Sequence, residues 1–231
     1  MNTTESTKSS RLWDLPTRLF HLAIIILVAV CWYTAENMHV FTFGPQDGPT
    51  LFEIHTWAGI SLLSLIIFRL IWGLVGSTTS RFSHFVKGPG AIIAYMKGPS
   101  DPATTGHNPL GALSVVAMIG VLLVQPITGL LAQEDTFGLE GPLKHLISKD
   151  LSLELAGLHD TLFDILTILL ILHIGAVLFY EGVRRDNIIG PMVTGRTKKD
   201  TPDGLIFEPS WRAFIILCLS SAAVWLTVTY A

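Results

Sequence analysis

Five stretches of the 231-residue chain, at 19–35, 57–75, 110–132, 155–180 and 211–230, are long, apolar and nearly free of charge. Each is close to the ~20 residues that a helix needs to cross ~30 Å of hydrocarbon, and too long for a membrane β-strand of about 10 residues. A segment in lipid must pair its own backbone groups, so these stretches predict five transmembrane helices and an all-α membrane protein. Composition agrees: 50% of the residues are hydrophobic and 14% are charged, with a mean hydropathy of +0.53. The intervening "FGPQDGPT" (43–50), "GPSDPATTGHNPLG" (98–111) and "TPDGLIFEPS" (201–210) are rich in Gly and Pro and read as loops. The first span exceeds the 7–15 apolar residues of a cleaved signal peptide. Because "CWYTAENMH" offers no small-x-small cleavage site, this span is read as a retained helix.

Basic residues orient the bundle. With the N-terminus in the cytoplasm, the inner segments hold Lys8, Arg11, Arg18, Arg69, Arg81, Lys87, Lys97, Arg184, Arg185, Arg196, Lys198, Lys199 and Arg212, and the outer loops hold only Lys144 and Lys149. That asymmetry predicts an inside N-terminus and an outside C-terminus. The net charge of −3 says little in such a chain, where the position of the charges informs rather than their sum, and no strongly basic nucleic-acid face is suggested.

This topology sorts four histidines by depth. His159 and His173 are fourteen residues apart in "LHDTLFDILTILLILHI", a rise of about 21 Å that returns to within about 40° of the same helix face. His21 falls near the inner end of the first span and His55 near the outer start of the second. The four therefore form an inner pair, His21 with His173, and an outer pair, His55 with His159. A single intramembrane histidine reads first as a hydrogen-bonding or proton-relay group. Four that pair by depth match imidazole ligation of iron inside a helix bundle, with two b-type haems stacked one above the other. Arg69 follows His55 by the same fourteen residues. Two readings stand for it: its planar fork meets a haem propionate, or its side chain snorkels to the headgroups.

Other polar residues carry less. Asp160 and Asp164, near the outer pair, are candidates for taking protons from a quinol, or for local hydrogen bonding. Gln125–Pro126 predicts an interruption in the third span, read as a kink. His39, His84, His107 and His145 fall in loops or at helix ends and are left out of the ligand set. Trp13, Trp32, Trp57, Trp72, Trp211 and Trp225 mostly lie near span ends and read as interfacial anchors. Cys31 and Cys218 are isolated, which excludes covalent haem attachment through CxxCH, an iron–sulfur site and a disulfide framework.

The segments "WDLPTRLFH" (13–21), "HTWAGISLLSLIIFRLIWGLVG" (55–76), "GHNPLGAL" (106–113), "LHDTLFDILTILLILHI" (158–174) and "DNIIGPMVTGR" (186–196) resemble the bacterial cytochrome b561 and nickel–iron-hydrogenase b-type cytochrome family. The resemblance covers about 11–200. It implies a four-transmembrane-helix bundle holding two non-covalent, bis-histidine b haems, with the ligand pattern falling on His21, His55, His159 and His173. A domain at 1–200 would be this bundle, and 201–231 an additional C-terminal transmembrane helix beyond what the family shares. The family also implies a multi-pass protein of the bacterial inner membrane, in contact with lipid. Its members exchange electrons between the quinone pool and a redox partner, often a c-type cytochrome or a hydrogenase at the outer face. Other readings are a subunit of a quinone-linked oxidoreductase, a hydrogenase membrane anchor, and a stand-alone oxidoreductase acting on a small molecule such as superoxide at the outer haem.

Overall fold

A computed structural model describes residues 9–38, 48–98, 106 and 108–231. In chain order its elements are β1 (Ser10–Arg11), α1 (Leu15–Glu36), α2 (Leu51–Val75), α3 (Phe82–Phe85), α4 (Pro89–Lys97), α5 (Pro109–Leu131), β2 (Gln133–Glu134), β3 (Leu139–Glu140), α6 (Lys149–Leu178), α7 (Ile189–Thr194), β4 (Arg196–Thr197) and α8 (Ser210–Tyr230). A π-helical turn, Phe179–Val183, extends α6. Among the described residues five helices, α1, α2, α5, α6 and α8, are long and apolar enough to cross a membrane.

Four of these begin ahead of the apolar run because a polar residue caps them. Asp14 accepts the Thr17 amide, Thr50 the Glu53 amide, Asn108 the Gly111 amide and Ser148 the Leu151 amide. Thr50 and Glu53 complete a reciprocal capping box. Each cap takes up one of the first-turn N–H groups that a helix leaves unpaired. α5 continues through Pro126 as one helix from Pro109 to Leu131. Pro126 has no N–H to donate, so one bond of the ladder is missing there.

α2 is the centre of the bundle. It packs on α1, α5 and α8, while α6 packs on α5. Three apolar layers stack along it: Phe68, Trp72 and Ala213 toward the N-terminal end; Leu62, Ile66, Ile119, Leu122 and Leu166 in the middle; Ile60, Leu63, Leu130, Leu143 and Val224 toward the far end. α8 supplies Ala213 and Val224 to two of these layers, so it belongs to the packed body of the protein. The outward side chains of α1 and α6, among them Leu19, Ile26, Ile168 and Leu172, are exposed and apolar, as lipid contact requires.

Short antiparallel pairs close the two ends. β1 meets β4 with Ser10 opposite Thr197 and Arg11 opposite Arg196, and β2 meets β3 with Gln133 opposite Glu140 and Glu134 opposite Leu139. Arg18 ties α1 to α7 by donating from Nε to the Met192 carbonyl and from Nη2 to that of Val193. This joins the "WDLPTRLFH" and "DNIIGPMVTGR" segments, distant in sequence, at one end of the bundle.

Ile66 is fully buried in the middle layer. Truncation of Ile66→Ala leaves a cavity there and is expected to destabilise the protein by about 2–5 kcal/mol, read by thermal unfolding in detergent. An unchanged melting temperature would mean that the layer repacks.

Candidate functional site

His55, near the start of α2, and His159, about three turns into α6, meet toward the far end of the bundle. Their ring centres are 6.2 Å apart, with the planes at 72°. Both are anchored alike. His55 Nδ1 is 3.1 Å from the Cys31 carbonyl and 3.1 Å from Thr34 Oγ1, both on α1. His159 Nδ1 is 2.9 Å from the Gln125 carbonyl and 3.1 Å from Thr128 Oγ1, both on α5. The Thr128 hydroxyl donates in turn to the Gln125 carbonyl at 2.8 Å, and the Thr34 hydroxyl faces both the Val30 and Cys31 carbonyls, at 2.8 and 3.0 Å.

Since a carbonyl oxygen only accepts, Nδ1 carries the proton in both rings. The Nε2 lone pair is then free, which is the tautomer a metal ligand needs. Two imidazoles holding one metal ion from opposite sides, each nitrogen at about 2 Å, have ring centres about 6 Å apart, close to the spacing found here. Gly129 lies against His159: a Cβ there would stand 2.9 Å from His159 Cε1. Gly59, one turn along from His55, has nothing within 4 Å of its own Cβ position, leaving open space on the His55 side of α2.

The other two histidines lie toward the N-terminal end, His21 on α1 and His173 on α6. α1 and α6 are not extensively packed together. Neither ring makes a hydrogen bond among the described residues. The heptad stripe His159–Leu166–His173 on α6 and its counterpart His55–Leu62–Arg69 on α2 place Leu166 and Leu62 midway between the two levels. Both leucines belong to the buried middle layer, so an apolar partition separates the histidine pairs.

Arg69 is 4% exposed. Its guanidinium stands 4.9 Å from the centre of the Phe82 ring, and Nη1 is buried with no hydrogen-bond partner among the described residues. Gly73 makes this stacking possible, because a Cβ at that position would fall within 2.1 Å of Phe82. Arg69 is thus enclosed by protein. A buried cation with unused donors asks for an anionic acceptor.

Further along the His173 stripe, Tyr180 lies in the π-helical turn. Its hydroxyl is 2.6 Å from that of Tyr95 and accepts from Asn108 Nδ2 at 3.0 Å. Burial, then the hydrogen bond with Tyr180, push the Tyr95 phenol up to about 12. It therefore stays protonated at physiological pH.

Asp160 and Asp164 are exposed on α6 and make no hydrogen bond or ion pair among the described residues. His84 is half-buried on α3, and burial, then Lys87, lower its pKa. His145 is exposed in a turn after β3, and neither joins a histidine pair. His39, His107 and Lys8 lie outside the described residues. Trp72 departs from the anchoring expectation: it is fully buried, and its indole N–H donates to Asp14 Oδ2 at 3.1 Å. The residues that sequence reasoning missed are Thr34, Thr128 and Gly129. A threonine in an apolar span at the depth of a histidine on the next helix was the available signal.

A family model described as prokaryotic cytochrome b561 matches residues 12–195. No curated protein and no solved structure gives a significant match. The matched segment takes in α1, α2, α5, α6 and α7 in full, with all four histidines and Arg69. An imidazole pair in the ligand tautomer, an enclosed cation with unused donors and open space beside His55 on α2 fit a haem group. On this match the chain belongs to the prokaryotic cytochrome b561 family, as a multi-pass b-type cytochrome of the bacterial membrane that takes part in electron transfer.

Proposed function

We propose that this cytochrome moves electrons between the quinone pool and a redox partner, using two b haems held one above the other. His55 and His159 hold the far-end group, His21 and His173 the N-terminal-end group, and Arg69 binds a propionate of the latter. The observation that carries this reading is the matched anchoring of His55 and His159, each with Nδ1 on a carbonyl of the neighbouring helix and a ring spacing of 6.2 Å.

Haem groups held by these four imidazoles would supply one-electron chemistry. The chain's own residues do the rest. The Cys31 and Gln125 carbonyls fix the ring tautomers and raise the basicity of Nε2. Leu62, Leu166 and their layer keep the space between the two levels free of water. Tyr180 and Asn108 present hydrogen-bonding groups at the N-terminal end, where a quinone oxygen could be met.

Positive-inside bias supports a cytoplasmic N-terminal end, with the far end facing outward. There Lys144 pairs with Glu140 and Lys149 with Asp135, while Glu134, Asp150 and Glu154 have no cation opposite them among the described residues. The resulting negative field favours a partner with a basic face, such as a c-type cytochrome, over an anionic substrate such as superoxide. A hydrogenase remains the alternative partner.

The primary test is haem content per chain with oxidised and reduced spectra of the detergent-purified protein. Two non-covalent low-spin b haems are expected; none, after full haem supply, would mean that the histidines serve proton or ion movement. His55→Ala and His159→Ala are each expected to remove the same haem and leave the other spectrum intact, and His21→Ala and His173→Ala to remove the second. If His55→Ala and His159→Ala emptied different sites, the pairing would be wrong. Gly129→Ala should push the His159 ring off its anchor and lower occupancy of that haem alone. Reporter fusions at the two termini should place the N-terminus inside and the C-terminus outside, and the reverse would overturn the orientation.

A further inference from the structure

The N-terminal end of the bundle buries two opposite charges that do not touch. Asp14 is fully buried. Its Oδ1 accepts the Thr17 amide at 2.9 Å, and its Oδ2 accepts Trp72 Nε1 at 3.1 Å and Ser80 Oγ at 3.4 Å. Ser80 is held in turn by Thr17, with the two hydroxyls 2.7 Å apart. No cation lies within ion-pair distance of Asp14 among the described residues. Arg69 sits one helical turn from Trp72, so the two face the same side of α2, and Asp14 acts on it electrostatically. Four segments, 12–17, α2, 77–80 and α3, thus converge to hold an anion and a cation in a low-dielectric pocket.

An N-cap needs no negative charge, since Asn and Ser cap as well as Asp. A buried carboxylate without an ion pair is costly. The three donors around Asp14 offset that cost and hold the charge where its field reaches Arg69. We infer that Asp14 is a positioning residue whose carboxylate offsets the Arg69 cation and thereby lowers the reduction potential of the haem site bounded by His21 and His173. This rests on the reading above that these histidines and Arg69 hold a haem. Adding an electron to a site is favoured by a nearby cation and opposed by a nearby anion. Both effects are strong where water is excluded.

The experiment is a spectroscopic redox titration of the purified holoprotein, wild type against Asp14→Asn and Arg69→Met. Asn keeps the cap and nearly the same volume while removing the charge, and Asp14→Ser is the substitute cap should Asn fold poorly. The expected result for either neutral cap is a rise in the midpoint of the His21–His173 haem. Its reduced-to-oxidised ratio at fixed ambient potential should increase about tenfold, a shift of about 59 mV for one electron. The His55–His159 haem should stay unmoved. Arg69→Met should shift the same haem in the opposite direction, and a fall of that midpoint in both neutral-cap variants would also overturn the inference. Two bound haems with both midpoints unchanged in the neutral-cap variants would overturn the inference and leave the two-haem reading standing. A wild-type protein without a haem at His21 and His173 would overturn both.

Discussion

Each of the two far-end histidines gives its Nδ1 proton to a backbone carbonyl of the neighbouring helix, and much of the bundle follows from that bond. It requires α1 beside α2 and α5 beside α6, in register to within one residue. A slip would leave a buried imidazole unpaired in a setting where an unmet polar group is expensive. Thr34 and Thr128 share the same carbonyls. Each anchor is therefore a three-membered network repeated on two helix pairs. Fixing the proton on Nδ1 turns Nε2 into a lone-pair donor, and the protein makes that choice without the metal.

The second constraint is the separation of levels. The histidines and Arg69 occupy two depths, and the buried apolar layer between them is built of Leu and Ile. Heptad spacing in α2 and α6 brings Leu62 and Leu166 between the functional residues, so the stripe that carries the histidines also carries the partition. α2 takes part in every layer. Its burial on several sides explains why it holds both fully buried members of the core, Ile66 and Trp72.

The N-terminal end works differently. There the chain crosses back on itself through Arg18, Thr17, Ser80 and Trp72, and the residues of "WDLPTRLFH" meet those of "DNIIGPMVTGR" and of the loop after α2. Motif residues with no metal-binding chemistry are accounted for by this convergence. Asp14 serves as a helix cap and as the acceptor for Trp72. Phe82, on a four-residue helix, supplies the aromatic face beneath Arg69.

Hydropathy alone determined that the chain spans the membrane five times as helices, because no other backbone arrangement of that length satisfies its hydrogen bonds in lipid. Spacing and charge placed the four histidines at two depths. Helix starts were less legible, since Thr50 and Ser148 cap their helices from polar residues that a hydropathy reading leaves in the loops. Trp72 looked like an interfacial anchor, and its burial depends on Asp14 arriving from 58 residues away. Only the tertiary structure decided which carbonyl meets which imidazole, that Arg69 turns inward over Phe82, and that Gly129 makes room for His159. Those outcomes depend on the angles and registers at which helices cross. Such quantities are set by side-chain packing between distant segments, and no local pattern along the chain encodes them.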